Sequence, residues 1–154
     1  NDLDSVEKIF SESDDIACLI MEPCTNENPK IYDDGKNFLQ KVKDICHKNN
    51  TVFILDEMIT GFRFHIKGAA YTYNVEPDLV TYGKAIANGF SLAVLGGKKN
   101  IMSLGDIITK NRERVFLLSS THGAEMSALG AFIKTVEIMK RDNVIQHYWD
   151  YGNN

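Results

Sequence analysis

The sequence predicts an α/β fold, a mostly parallel sheet with helical crossovers, and three observations carry that prediction. Two short apolar runs, "DIACLIME" at 15–22 and "TVFILDE" at 51–57, have the length and composition of strands buried on both faces. Between them, residues 36–48 repeat apolar positions at spacings of three and four, the signature of an amphipathic helix. Proline stands where strands should end or begin, at Pro23 and Pro77. Strand, helix, strand is the order that a parallel pair requires, because its connection must cross back over the sheet.

Residues 4–12, "DSVEKIFSE", pair a candidate cap, Asp4, with Glu7 and place Val6, Ile9 and Phe10 on one face, which predicts a short helix. The first strand follows and stops at Glu22-Pro23. A polar loop, "CTNENPKIYDDG", leads to the helix of 36–48, whose inner side carries Phe38, Leu39, Val42, Ile45 and Cys46. After "TVFILDE" the pattern continues through a shorter strand in "PDLVTYGKA", then "SLAVLGG" at 91–97 and "RVFLLSS" at 114–120. A final helix from about 122 to 141 lines up Leu129, Phe132, Ile133, Val136 and Met139 or Lys140, and Asn143 ends it. No internal repeat, low-complexity tract or linker divides residues 1–154, so they read as one unit.

Of 154 residues, 44% are hydrophobic and 25% charged, the balance of an ordinary globular domain. A net charge of -4 and a pI near 5.5 supply no basic footprint for nucleic acid or for a membrane surface. The apolar runs are too short to span a bilayer, and no secretion signal opens the chain, so a cytoplasmic location is expected. Cys18, Cys24 and Cys46 are an odd set without metal-type spacing, and His47, His65, His122 and His147 are scattered. Free thiols and no metal site are the expectation. The chain opens on Asn1 in the approach to a helix, and it reads as a piece of a longer protein.

Ligands of an open α/β sheet gather at the carboxyl ends of its strands. Glu22, Asp56 with Glu57, Lys84 and Thr121 stand at such ends. An acid after "FIL" also fits the magnesium strand of a nucleotide triphosphatase. That reading needs a G-x-x-x-x-G-K-[ST] loop, and at the three Gly-Lys pairs the first-glycine position holds Lys30, Asp78 or Leu92. Lys84 favours a different chemistry. It is separated from Asp56 by a helix-sized segment, so the two meet only as ends of different strands. In a partly dry crevice a lysine becomes a neutral amine that attacks carbonyls, and a carboxylate there holds a heterocyclic nitrogen protonated. Pyridoxal phosphate requires both groups, a lysine for the Schiff base and an acid at the pyridine nitrogen.

With "ILDEMITGFR", "PDLVTYGKAIANGF" and "LAVLGGKKNIM", the chain resembles the class III pyridoxal-phosphate aminotransferases, most closely the branch of glutamate-1-semialdehyde aminomutase-like members. The likeness runs from about Ile16 to Met139 and covers well under half of such an enzyme. It implies the large domain of a fold-type I pyridoxal-phosphate-dependent transferase, with residues 1–154 forming the C-terminal part of that cofactor-binding domain. It further implies that Lys84 forms the Schiff base and shuttles a proton, that Asp56 pairs with the pyridinium nitrogen, and that Met58 packs on one ring face. Thr121 in "SSTHGAE" matches a threonine that reaches the cofactor phosphate of the partner subunit, which implies a homodimer. Glu22-Pro23 with Glu27 matches the "EPxxxE" of ornithine-type members, whereas the aminomutase has asparagine at the place of Glu27. Asn26 and "HGAEMSALGA" depart from the usual pattern. The family's phosphate loop, its second stacking aromatic and the substrate-carboxylate arginine of many members have no counterpart in these residues.

The expected activity is amino-group transfer or 2,1-aminomutation of a small amine or carbonyl substrate, with an amino sugar or an ω-amino compound both open. The alternative is a truncated or accessory chain without catalysis.

Overall fold

The computed structural model describes residues 1–24, 27–106, 108, 110–111, 113–115, 123 and 125–154. Helix α1, Leu3–Glu12, leads into strand β1, Cys18–Met21, and helix α2, Phe38–Lys48, crosses to β2, Val52–Asp56. A short helix α3, Ala69–Thr72, precedes β3, Leu79–Tyr82, and β4, Val94–Gly97, follows it. Helices α4, Lys99–Met102, α5, Met126–Arg141, and α6, Val144–Gly152, come last.

The four strands form one sheet in the order β1-β2-β3-β4. The first three are parallel and β4 runs antiparallel to β3. The reversal follows from chain length: residues 83–93 are too few for the crossover that a parallel partner needs.

Burial is one-sided. Phe53 and Leu55 on β2 are fully buried against Leu39, Val42 and Cys46 of α2. The register puts Ile20, Ile54 and Leu79 in one row on the other face. There Ile20 is 57% exposed and Leu95 48%. Within these residues β1 pairs with β2 and is covered on its Leu19 and Met21 side. An apolar run records that both faces are oily, not what covers them.

Helix starts differ in detail. Asp2, not Asp4, caps α1, its carboxylate accepting from the Ser5 N–H at 3.0 Å. Asn37 caps α2 through a reciprocal capping box with Gln40. The last long helix begins at Met126 rather than near residue 122. Asn143 does end it, in a left-handed conformation, and α6 follows where the sequence pattern assigns no element. The predicted strand at 114–120 falls almost wholly on residues outside the described set. A second core of Phe62, Ile86 and Ala87 packs on Phe132, Val136 and Met139 of α5. It anchors the turn after β3.

Candidate functional site

Parallel pairing brings the carboxyl ends of β1, β2 and β3 to one edge, and with them Glu22, Asp56 and Lys84. Asp56 is the direct partner of Thr81 across the β2–β3 pair. Its Oδ1 accepts two hydrogen bonds, from the Thr81 hydroxyl at 2.9 Å and from the Met58 N–H at 3.0 Å. The Glu57 N–H donates to the Thr81 carbonyl at 3.0 Å, which keeps the chain tied to β3 beyond the last residue of β2.

Lys84 opens a single turn of 3-10 helix, Lys84–Ile86, two residues past β3. Its φ is 48°, a left-handed backbone that a residue with a Cβ adopts at a cost of about 1–3 kcal/mol. The turn holds because Ile86 and Ala87 are buried beneath it at 1% and 0% exposure. Lys84 itself is exposed. The anchor is dry and the amine is accessible.

Met58 links the acid to the lysine. Its backbone donates to Asp56, and its thioether lies over the Cα of Gly83: a Cβ at Gly83 would stand 2.7 Å from Met58 Sδ and closer still to its terminal methyl. Only glycine lets the methionine approach the residue before Lys84. The result is an acid, an apolar thioether and an amine along two adjacent strand ends, a set that fits a flat heterocycle needing one polar group at each end.

The sequence reading also placed Glu57 among the acids facing this crevice, and the structure corrects it. Successive residues of a strand point to opposite faces, so Glu57 turns to the helix side while Asp56 does not. Glu57 is fully buried, and its carboxylate accepts from the Ala69 and Ala70 N–H groups at 2.6 and 2.9 Å and from the Thr60 hydroxyl at 3.2 Å. Its work is to satisfy the start of α3. Glu27 lies on the loop after β1 and its side chain is 70% exposed. No hydrogen bond or ion pair among the described residues joins it to Asp56, Met58 or Lys84. Thr121 lies outside the described residues.

Sequence reasoning gave Thr81 no role, although it stands inside the quoted "PDLVTYGK". Its signal is the register of β2 on β3, which no local pattern encodes. A second network was missed at the opposite edge. Asp78, 7% exposed, accepts from the Phe53 N–H at 2.8 Å and lies 2.7 Å from Lys98 Nζ and 3.0 Å from His47 Nε2. Burial pushes its carboxyl up, but the Lys98 ammonium, the Phe53 N–H and His47 outweigh that and hold it below the ordinary value. Cys46, buried in the core, has its thiol pushed up to about 11 by burial and then by the Asp78 charge, so it packs as an inert hydrophobe.

A groove of about 780 Å³ lies between the Phe62–Phe64 turn and helices α5 and α6. Ala85 and Asn88 touch it, but neither Lys84 nor Asp56 lines it, and among the described residues Arg63 is its one charged wall. Among the described residues no His, Cys, Asp or Glu cluster is placed to hold a metal, and no helix is long and apolar enough to cross a membrane.

Comparison with known proteins is consistent across sequence and structure. A family model described as aminotransferase class-III matches residues 2–153. Glutamate-1-semialdehyde 2,1-aminomutase of Caldicellulosiruptor bescii is 50% identical over 103 residues, 66% of this chain and 24% of that protein. The protein of that name from Sulfolobus acidocaldarius is 40% identical over 144 residues, 94% of this chain and 33% of the relative. A Bacillus anthracis aminotransferase superposes with a TM-score of 0.78 at 26% identity, covering 97% of this chain and 34% of the other. The chain thus spans about a quarter to a third of the length of these relatives.

Proposed function

Because the chain belongs to the class III aminotransferase family, we propose that the protein it represents is a pyridoxal 5'-phosphate-dependent aminotransferase or 2,1-aminomutase, and that residues 1–154 are the C-terminal part of its cofactor-binding domain. The aminomutase reading draws on relatives at 40–50% identity that carry that name. The substrate is a small amine or carbonyl compound. A cytoplasmic homodimer is the expected form, with Thr121 reaching the partner's cofactor phosphate.

One observation carries the proposal: Asp56 and Lys84 stand at the same edge of adjacent parallel strands, with the Met58 thioether packed beside the lysine turn. Bound there, the cofactor supplies an aldehyde that condenses with amines and a protonated ring that draws electrons from a carbon losing its proton. Lys84 Nζ would be the amine that holds the cofactor through its aldehyde carbon, and the same amine would carry a proton to and from the substrate carbon. Asp56 would face the ring nitrogen through the carboxylate oxygen that makes no hydrogen bond among the described residues, and would hold that nitrogen's proton by accepting from it. Met58 would pack on one face of the ring and keep water from it. Glu27 is assigned to the substrate side of the cofactor, as the ornithine-type match suggests.

The test uses the protein expressed from its complete reading frame. The expected preparation has a visible absorption band, which borohydride shifts permanently and Lys84→Ala abolishes. A colourless protein indifferent to added cofactor would overturn the proposal and favour an accessory chain without catalysis.

A further inference from the structure

We propose that Thr81 is a positioning residue for Asp56, fixing the plane of its carboxylate so that Oδ2 is left as the acceptor for the ring nitrogen. The inference rests on the cofactor reading above. A carboxylate at the end of a strand rotates freely about its last bond unless something holds it. Here two donors from different places converge on one oxygen: the Met58 N–H, two residues along the same chain, and the Thr81 hydroxyl on the neighbouring strand. Among the described residues, Asp56 Oδ2 makes no hydrogen bond.

The local bond alone is a weak constraint, since an aspartate that accepts from the N–H two residues on occurs in many loops. The Thr81 bond adds a fixed external point. Threonine is branched at Cβ and stiff in a strand, and Thr81 is the register partner of Asp56, so its hydroxyl is aimed before any ligand arrives. Across β4 its partner is Leu95, which offers no competing polar group. The arrangement pre-orients the free oxygen, and pre-orientation lowers the cost of binding. Had Thr81 only a strand-forming role, valine would serve equally.

Thr81→Val removes the hydroxyl at nearly constant shape, and Thr81→Ser restores it. Both are made in the protein from its complete reading frame, stripped of cofactor and titrated with pyridoxal 5'-phosphate. Thr81→Val is expected to weaken cofactor binding about tenfold, the effect of one lost hydrogen bond to a charged group. It is also expected to move the pH midpoint of the visible band and to lower kcat more than it raises KM, while the melting temperature of the cofactor-free protein holds. Thr81→Ser is expected to match the wild type in each respect. Wild-type affinity and band in Thr81→Val would overturn the positioning role alone. A loss of affinity accompanied by a lower cofactor-free melting temperature and not restored by serine would assign Thr81 to the fold instead. Failure of the wild type to take up cofactor would overturn both this inference and the function on which it rests.

Discussion

Asp56 and Glu57 are neighbours in sequence and face opposite sides of the sheet, and each is committed by its hydrogen bonds rather than by its type. Glu57 fills the space under Gly68, where φ is 87° and a Cβ would stand 2.5 Å from Glu57 Oε1. Gly68→Ala is expected to lower stability by at least about 2 kcal/mol, from the left-handed backbone and the displaced carboxylate together, measured by urea denaturation. Asp78 is the other buried acid that organises its surroundings. Asp78→Asn strips Lys98 and His47 of their partner and is expected to cost about 3 kcal/mol in the same assay. The pH dependence follows from the lowered carboxyl. The folded state binds this proton less readily than the unfolded chain does, so the contribution of Asp78 is complete above the ordinary value of 3.8 and is lost as acid is added below it. The stability gap between wild type and Asp78→Asn is therefore expected to hold near neutrality and to close below about pH 4. A gap unchanged in acid would show that Asp78 acts through shape and not charge.

Helix α2 and strand β2 form the central packing unit. Leu39 and Val42 pack with Phe53 and Leu55 in one cluster, all at 0–1% exposure. Leu39→Ala is expected to cost about 3 kcal/mol by opening a cavity that the sheet behind it cannot close. The start of that helix is also held from outside. Asn37 accepts from the Gln40 N–H at 3.0 Å and donates through Nδ2 to the Tyr73 carbonyl at 2.6 Å, which joins the helix to the end of α3. Asn37→Ala is thus expected to exceed the usual capping loss of about 1 kcal/mol, and Asn37→Asp, which keeps only the cap, to fall between. Thermal unfolding of the three proteins gives the order.

Taken together, residues 1–154 cover one face of their sheet. The row of Ile20, Ile54 and Leu79, with Leu95 beside it, is apolar and incompletely covered within these residues, and the candidate site sits at the carboxyl end of that same face. Patches of this kind mark surfaces that associate. Expressed as these 154 residues alone, the chain is expected to self-associate as concentration rises. Ile20→Lys combined with Leu95→Lys is expected to suppress this without lowering the melting temperature, read by light scattering. Association that persists in the double variant would place the sticky surface elsewhere, the aromatic groove around Tyr148 and Trp149 being the next place to look.

The α/β class, the parallel order of the first strands and the positions of Asp56 and Lys84 at strand ends were legible in the sequence by itself, because hydrophobic periodicity and proline placement are local properties of a chain. Helix α6 was not read, although Val144, Ile145, Tyr148 and Trp149 recur at helical spacing, because Asn143 reads as a stop and only nine residues of helix follow it. Tertiary structure alone decided that Glu57 leaves the crevice to support α3, that Thr81 holds Asp56, and that Asp78, His47 and Lys98 meet. Each of those contacts joins residues at least 12 positions apart through strand register or helix placement. Such distances are set only when the sheet closes, and no short window of sequence contains them.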